Sequence, residues 1–302
     1  MIYQISHRTI YEYAAPVTVS HHAARVEPRS LAQQATEQFA LDIDPPPALK
    51  KTRSDYFGNR VWGFAIQEVH TRLDITATSR VTVSPGTPPA LALSPAWEKV
   101  VDLFSDPVSP EVVEPYLFVF DSPLLHVSPE LADYARQSFA PGIPLLMAVA
   151  DLNRRIFADF KYDPVATTVA TPLEEVLSKR HGVCQDFSHL AIASLRSLGI
   201  PARYVSGYLR TRPPEGKKRL VGADASHAWF SVFCPSTGWL DFDPTNNILP
   251  AHEHITVAYG RDYTDVSPVT GVITGGGSHQ VKVYVDVEAL EMPSSAQPPL
   301  GT

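Results

Sequence analysis

The sequence predicts an α+β fold preceded by a small all-β region, and three observations carry that expectation. Up to about residue 85 the chain consists of short runs rich in β-branched and aromatic residues, some alternating apolar with polar as in Leu73-Asp74-Ile75-Thr76. From Ser128 to Gly199 the apolar residues recur at three- and four-residue spacing instead. After Pro201 strand-like runs return, so helices come first and strands second in this later part. A chain of 302 residues exceeds what one ordinary core needs, which favours two units.

Strands are expected at residues 2–13, 39–43, 60–66 and 72–83, with Pro45-Pro46-Pro47 and Phe57-Gly58-Asn59 as turns, giving a small sandwich or meander. Pro85-Gly86-Thr87-Pro88-Pro89 is a stiff connector, followed by irregular sequence to about Pro123. The boundary therefore falls within 86–120, and the expected units are 1–100, 101–292 and a loose tail at 293–302.

Ser128 caps a helix with Pro129 at its first position, ending before Pro141-Gly142. A second helix carries Leu145, Leu146, Val149, Leu152, Ile156 and Phe157 on one face. Thr171-Pro172-Leu173-Glu174 has the pattern of a capping box, and that third helix should stop near Lys179 to His181 with Gly182 as its left-handed terminator. A fourth opens near Cys184 and stops at Gly199. Strands follow at 202–209, 228–233, 239–242 and 280–287. No internal repeat is visible.

A 44% hydrophobic, 19% charged composition is that of a folded chain, not a disordered one. The net charge of -7 argues against nonspecific nucleic-acid binding. The first residues lack the basic and apolar regions of a leader peptide, and no apolar run approaches the ~20 residues that span a bilayer, so no membrane partner is expected. With only Cys184 and Cys234 there is no disulfide framework, and a reducing cytoplasm is the expected location.

Three pieces carry chemistry: Gly182-Val183-Cys184-Gln185-Asp186-Phe187, Ser226-His227-Ala228-Trp229, and Gly238-Trp239-Leu240-Asp241-Phe242-Asp243-Pro244-Thr245. A thiol attacks carbonyl carbon as the thiolate, which a helix N-terminus and a neighbouring imidazole both favour. Cys184 stands where one helix ends and the next opens, and His227 starts a strand able to face it. The imidazole needs its other nitrogen held by a carboxylate. The turn Pro235-Ser236-Thr237-Gly238 brings either Asp243 or Asp241 beside His227, with a slight edge for Asp243 at the strand's end.

These pieces resemble the transglutaminase-like cysteine enzymes, with their Gly-x-Cys helix start, His-Ala-Trp strand and Trp-x-x-x-Asp-Pro-Thr strand. The resemblance implies a papain-like core with Cys184 as nucleophile, His227 as base and Asp243 as third member, in preference to Asp241. Pro28-Arg29 and Asp55-x-Phe57-Gly58-Asn59 likewise resemble the β-domain preceding that core in bacterial members, so the likeness covers nearly the whole chain. It implies attack on an amide carbonyl through a thioester, as a peptidase or amidase on a peptide or protein amide. Amine transfer and a non-enzymatic binding module of the same fold are the alternatives. The Cys184 N–H is a natural oxyanion donor. No tryptophan lies between Trp97 and Trp229 to supply the second donor many transglutaminases have, which weighs against cross-linking; Tyr162 is the candidate replacement.

Other features read blandly. Cys234 is structural, His189 a surface or core residue, and Asp186 a first-turn acid favoured by the helix dipole. Trp229 and Trp239 are wall residues. His252-Glu253-His254 and His21-His22 supply too few ligands for zinc, and calcium-loop spacing is absent, so no metal or organic cofactor is expected. Gly275-Gly276-Gly277 is a flexible loop and Lys217-Lys218-Arg219 a solvated hairpin tip.

Overall fold

In the computed structural model, which describes residues 1–84, 86–105, 110–165, 167–168, 171–211 and 225–290, the chain opens with five strands. They are β1 (Ile2–Ala24), β2 (Gln34–Asp44), β3 (Leu49–Ser54), β4 (Arg60–Ile66) and β5 (His70–Val83). Helices α1 (Trp97–Ser105), α2 (Pro110–Tyr116), α3 (Pro129–Arg136) and α4 (Leu145–Asp159) follow. Next come β6 (Lys161–Tyr162), α5 (Leu173–Lys179), β7 (His181–Gly182) and α6 (Cys184–Arg196). The last elements are β8 (Ala202–Leu209), β9 (Ala225–Cys234), β10 (Gly238–Phe242), β11 (His254–Gly260), α7 (Tyr263–Val266), β12 (Val269–Gly275) and β13 (His279–Leu290). The Lys217-Lys218-Arg219 run and the tail beyond 290 lie outside the described residues.

The first sheet is organised by β1. This strand does not stop at Tyr13 as expected. It shifts register between Glu12 and Val17, around Pro16, and continues to Ala24. Proline has no N–H to give, so the break changes partners rather than ending the strand. β1 pairs β5 on one side and β13 on the other, and past the break it pairs β4 and β12. Residues 269–290, grouped above with the second unit, therefore pair into the first sheet. Gly275, Gly276 and Gly277, all at positive φ, make the turn between β12 and β13.

The second sheet has the order β10-β9-β8-β11, all antiparallel, and packs one face on α6. α6 is buried nearly all round, from Asp186 to Arg196, because α3, α4, α5 and the sheet surround it. Its core runs without interruption into the first region, since Tyr3, Ile5, Val81, Val83, Val285 and Val287 belong to the same buried cluster as Leu190, Ile192 and Phe230. The two expected units thus share this cluster, while the first region keeps a second one of its own around Val17, Phe64, Ile66 and Leu73.

The edge strand β11 bulges between Thr256 and Ala258 and is capped by two side-chain amides from the first region. Gln34 donates to Thr256 O at 2.8 Å and accepts from Thr256 N at 2.8 Å. Asn59 does the same to Tyr259, at 2.7 and 2.8 Å. Each amide imitates a neighbouring strand and satisfies backbone groups that burial would otherwise leave unpaired. The Asp55-x-Phe57-Gly58-Asn59 turn exists to hold Asn59: Asp55 Oδ1 accepts the N–H groups of Phe57 and Asn59 at 3.0 and 2.9 Å, and Gly58 takes φ 74°. Arg29 Nη1 completes the clamp on Asn59 Oδ1 at 2.6 Å.

Two helix ends differ from expectation. α5 begins at Leu173 without a capping box, because Thr171 Oγ1 accepts instead from Thr168 N–H at 2.9 Å, across its own turn. α5 is terminated by Arg180 at φ 58°, while Gly182 has an extended role described below. The start of α3 is as read, with Ser128 accepting from Leu131 N at 3.3 Å and Pro129 following.

Candidate active site

Cys184 is the first residue of α6, and three local features put it there. Val183 is extended, at φ -114° and ψ 179°, and gives its N–H to Asp186 Oδ2 at 2.8 Å. That bond is the N-terminal cap of the helix, and Thr167 Oγ1 steadies the same oxygen at 2.6 Å. Asp186 is buried, and burial raises its pKa. Its position explains Gly182: a Cβ there would stand 2.7 Å from Asp186 Oδ2, so only glycine admits the carboxylate. Asp186 is therefore a structural cap, beyond the dipole role read from the sequence.

β6 and β7 pair in parallel, Tyr162 opposite Gly182, and bring Tyr162 near the sulfur. Burial raises the Tyr162 pKa, and the Cys184 charge adds to the rise. Tyr204 beneath is fully buried and raised for the same two leading reasons.

His227 lies in β9 opposite Gly207 of β8. Asp243 follows β10 and forms a backbone bridge with Ile248, its N–H reaching Ile248 O at 2.9 Å, so residues 244–247 turn tightly round its carboxylate. Oδ1 accepts the N–H groups of Thr245 and Asn246 at 2.9 and 3.1 Å. Oδ2 accepts from His227 Nε2 at 2.8 Å, Asn246 Nδ2 at 2.7 Å and His254 Nε2 at 3.0 Å. Asp241 is diverted, accepting Trp229 Nε1 at 2.9 Å.

Burial works against a charge on His227, but the Asp243 hydrogen bond, and then the proximity of Cys184, outweigh it and push the ring's pKa up to about 10. Burial likewise opposes the Asp243 carboxylate, yet its bonds to His227, His254 and Asn246 hold it well below the usual range. At neutral pH the pair is imidazolium and carboxylate. With Nε2 occupied by Asp243, Nδ1 is the nitrogen left for the sulfur. The site thus collects Cys184, His227 and Asp243, plus a fixed N–H dipole at the helix start, in an arrangement able to stabilise a thiolate.

Sequence reasoning missed His254 and Asn246. His254 sits inside the His252-Glu253-His254 run, which the sequence offers as a metal pair with too few ligands for zinc and with no other role. Of that pair, His254 reaches the site, while the His252 carbonyl accepts the Tyr3 hydroxyl at 2.9 Å. The ligand atoms of His227, Asp243 and His254 lie within 4.8 Å of one another, so among the described residues they form a group with the spacing to hold a cation, though both rings already direct a proton at the carboxylate. His189 is a core residue, 5% exposed, accepting Tyr263 N–H at 3.2 Å. Cys234 is buried and free.

Comparisons with known proteins agree with this architecture. Residues 3–82 match the bacterial transglutaminase-like N-terminal region, and residues 133–244 match the transglutaminase-like superfamily core. An uncharacterized protein of Mycobacterium tuberculosis, Rv2569c, is 41% identical over 297 residues, covering 96% of this chain and 93% of that protein. A protein-glutamine gamma-glutamyltransferase of Pseudomonas aeruginosa is 34% identical over 128 residues, 40% of this chain and 18% of that one. The crystal structure of a candidate cysteine protease from Cytophaga hutchinsonii superposes with a TM-score of 0.74 at 22% identity, over 98% of this chain and 92% of that one, a likeness of fold. The chain belongs to the transglutaminase-like superfamily, and carries the bacterial transglutaminase-like N-terminal region ahead of its core.

Proposed function

We propose that the protein is a cysteine peptidase or amidase that opens a peptide or peptide-like amide through a Cys184–His227–Asp243 triad. The observation that carries this reading is the 2.8 Å bond between His227 Nε2 and Asp243 Oδ2, beside a thiol at the first position of a buried helix. In this mechanism the Cys184 thiolate attacks the amide carbon and the oxyanion meets the Cys184 N–H, with the Tyr162 hydroxyl as second donor. His227, protonated at rest, gives its proton to the departing amine as the thioester forms. The now neutral ring takes a proton from water, whose attack on the thioester carbon expels the sulfur, releases the acid and restores the thiolate–imidazolium pair. Asp243 stays ionised throughout and holds the ring.

Transfer to an amine in place of water is the second reading, favoured by the local likeness to the Pseudomonas gamma-glutamyltransferase. A peptide library incubated with and without a labelled primary amine separates the two. Cleavage without label incorporation is expected; label in the acyl product would replace hydrolysis by transfer. Cys184→Ala should abolish either outcome. Turnover surviving in that variant, or iodoacetamide reacting with Cys184 no faster than with an ordinary thiol at mildly acidic pH, would leave the non-enzymatic binding module in possession.

A further inference from the structure

Behind the Asp243 network, between the second sheet and residues 31–34 and 86–89 of the first region, lies a cavity of about 340 Å³. His254 borders it, whereas Cys184 and His227 do not. Its charged residues are Arg203 and Asp241.

Arg203 is 9% exposed, and its guanidinium lies 4.2 Å from the Trp239 ring centroid and 3.6 Å from that of Tyr259. Aromatic faces attract the charge but do not accept its N–H groups in the manner of a carboxylate. Nε is sealed in with no partner. The acids near enough to act on it do so only through space. Asp241 Oδ2 is taken by Trp229 Nε1 at 2.9 Å, and Glu114 Oε2 by Trp239 Nε1 at 3.2 Å. Burial accordingly pulls the Arg203 pKa down. A buried cation with no carboxylate hydrogen-bonded to it is costly, and stacking recovers only part of that cost. The guanidinium is held flat and faces a space large enough for a small ligand.

We propose that this cavity is a second ligand site, for a small molecule bearing a carboxylate and a nearby ammonium, of the class of a free amino acid or short peptide. Arg203 takes the carboxylate by its planar fork. Asp241, which lines the same cavity and has Oδ2 engaged by Trp229, takes the ammonium and disfavours a dianion such as phosphate. The inference does not rest on the thiol chemistry.

Calorimetric titration of the full chain, carrying Cys184→Ala to prevent turnover, tests it with the dipeptide Ala-Ala and its C-terminal amide as probes. Saturable millimolar or tighter binding of Ala-Ala is expected, with the amide at least tenfold weaker and binding lost in Arg203→Met. N-acetylation of the probe, or Asp241→Asn, should weaken binding further. Equal binding of dipeptide and amide overturns the proposal, as does absence of saturation. Binding that survives Arg203→Met places the peptide elsewhere, in the Cys184 cleft, and also overturns it. Should that variant fail to fold, Arg203→Lys, which keeps the charge and loses the fork, and the acid–amide comparison on the parent protein decide the matter.

Discussion

Replacing Asp243 by asparagine addresses the electrostatics of the site directly. The substitution keeps shape and some hydrogen bonding but removes the charge. Burial alone would hold His227 neutral; the Asp243 bond is the largest of the opposing influences that move it from 6.5 to about 10. That displacement corresponds to a few kcal/mol of preference for the charged ring. In the variant, burial and Cys184 remain, and the ring is expected to titrate well below the parent's value of about 10. Nitrogen NMR of the imidazole across the neutral and alkaline range reads this, and alkylation of Cys184 at mildly acidic pH should slow in parallel. A variant ring still protonated at pH 8 would refute the reasoning. The pair's contribution to stability also has a defined window. His227, with its raised value, contributes fully below 6.5 and loses that contribution as pH rises through about 10. Asp243, with its depressed value, contributes above 3.8 and loses that contribution as pH falls through its folded value. Both limbs should flatten in the asparagine variant.

Three other outcomes are expected. Asn59→Ala strands the N–H and carbonyl of Tyr259 on a buried edge; at about 1–3 kcal/mol for each group, urea unfolding should show a loss of roughly 2–6 kcal/mol, and a loss under ~1 would contradict the clamp. Gly182→Ala drives a methyl against Asp186 and uncaps α6, costing about 1–2 kcal/mol in thermal unfolding and slowing Cys184 alkylation; an unchanged alkylation rate would separate the cap from the thiol. His254→Ala removes one of the donors on Asp243 Oδ2, so the carboxylate is depressed less and acid unfolding should begin at higher pH, with about 1–3 kcal/mol lost; an unmoved acid limb would make His254 a bystander.

Much of this is legible in the sequence. Periodicity located α3, α4 and α6, and the turn at 235–238 correctly placed a carboxylate beside His227. What escaped detection was long-range. β11 and β12 were not anticipated, because their pairing is set by β8 and β1, far away in sequence. Asp241 and Asp243 could not be separated by alternation alone, since it is Trp229 that draws Asp241 aside. His254 was set aside with an incomplete metal pair because its true partner, Asp243, arrives from the end of another strand. Gly182 was assigned to the wrong backbone conformation: the pressure on it comes from the Asp186 carboxylate, not from its own φ.

The pairing of Tyr13 with His279, and of Ile2 with Leu290, has a bearing on how the protein is made. Some 265 residues separate the two strands, so at about 5–20 residues per second the ribosome needs roughly 13–50 s to deliver the second after the first. Throughout that interval the apolar side chains of Tyr3 and Ile5 await their cover, and nascent chains are open to capture by chaperones or by each other. Yield in a cell should therefore depend more steeply on holdase supply and translation speed than the finished enzyme's stability would suggest.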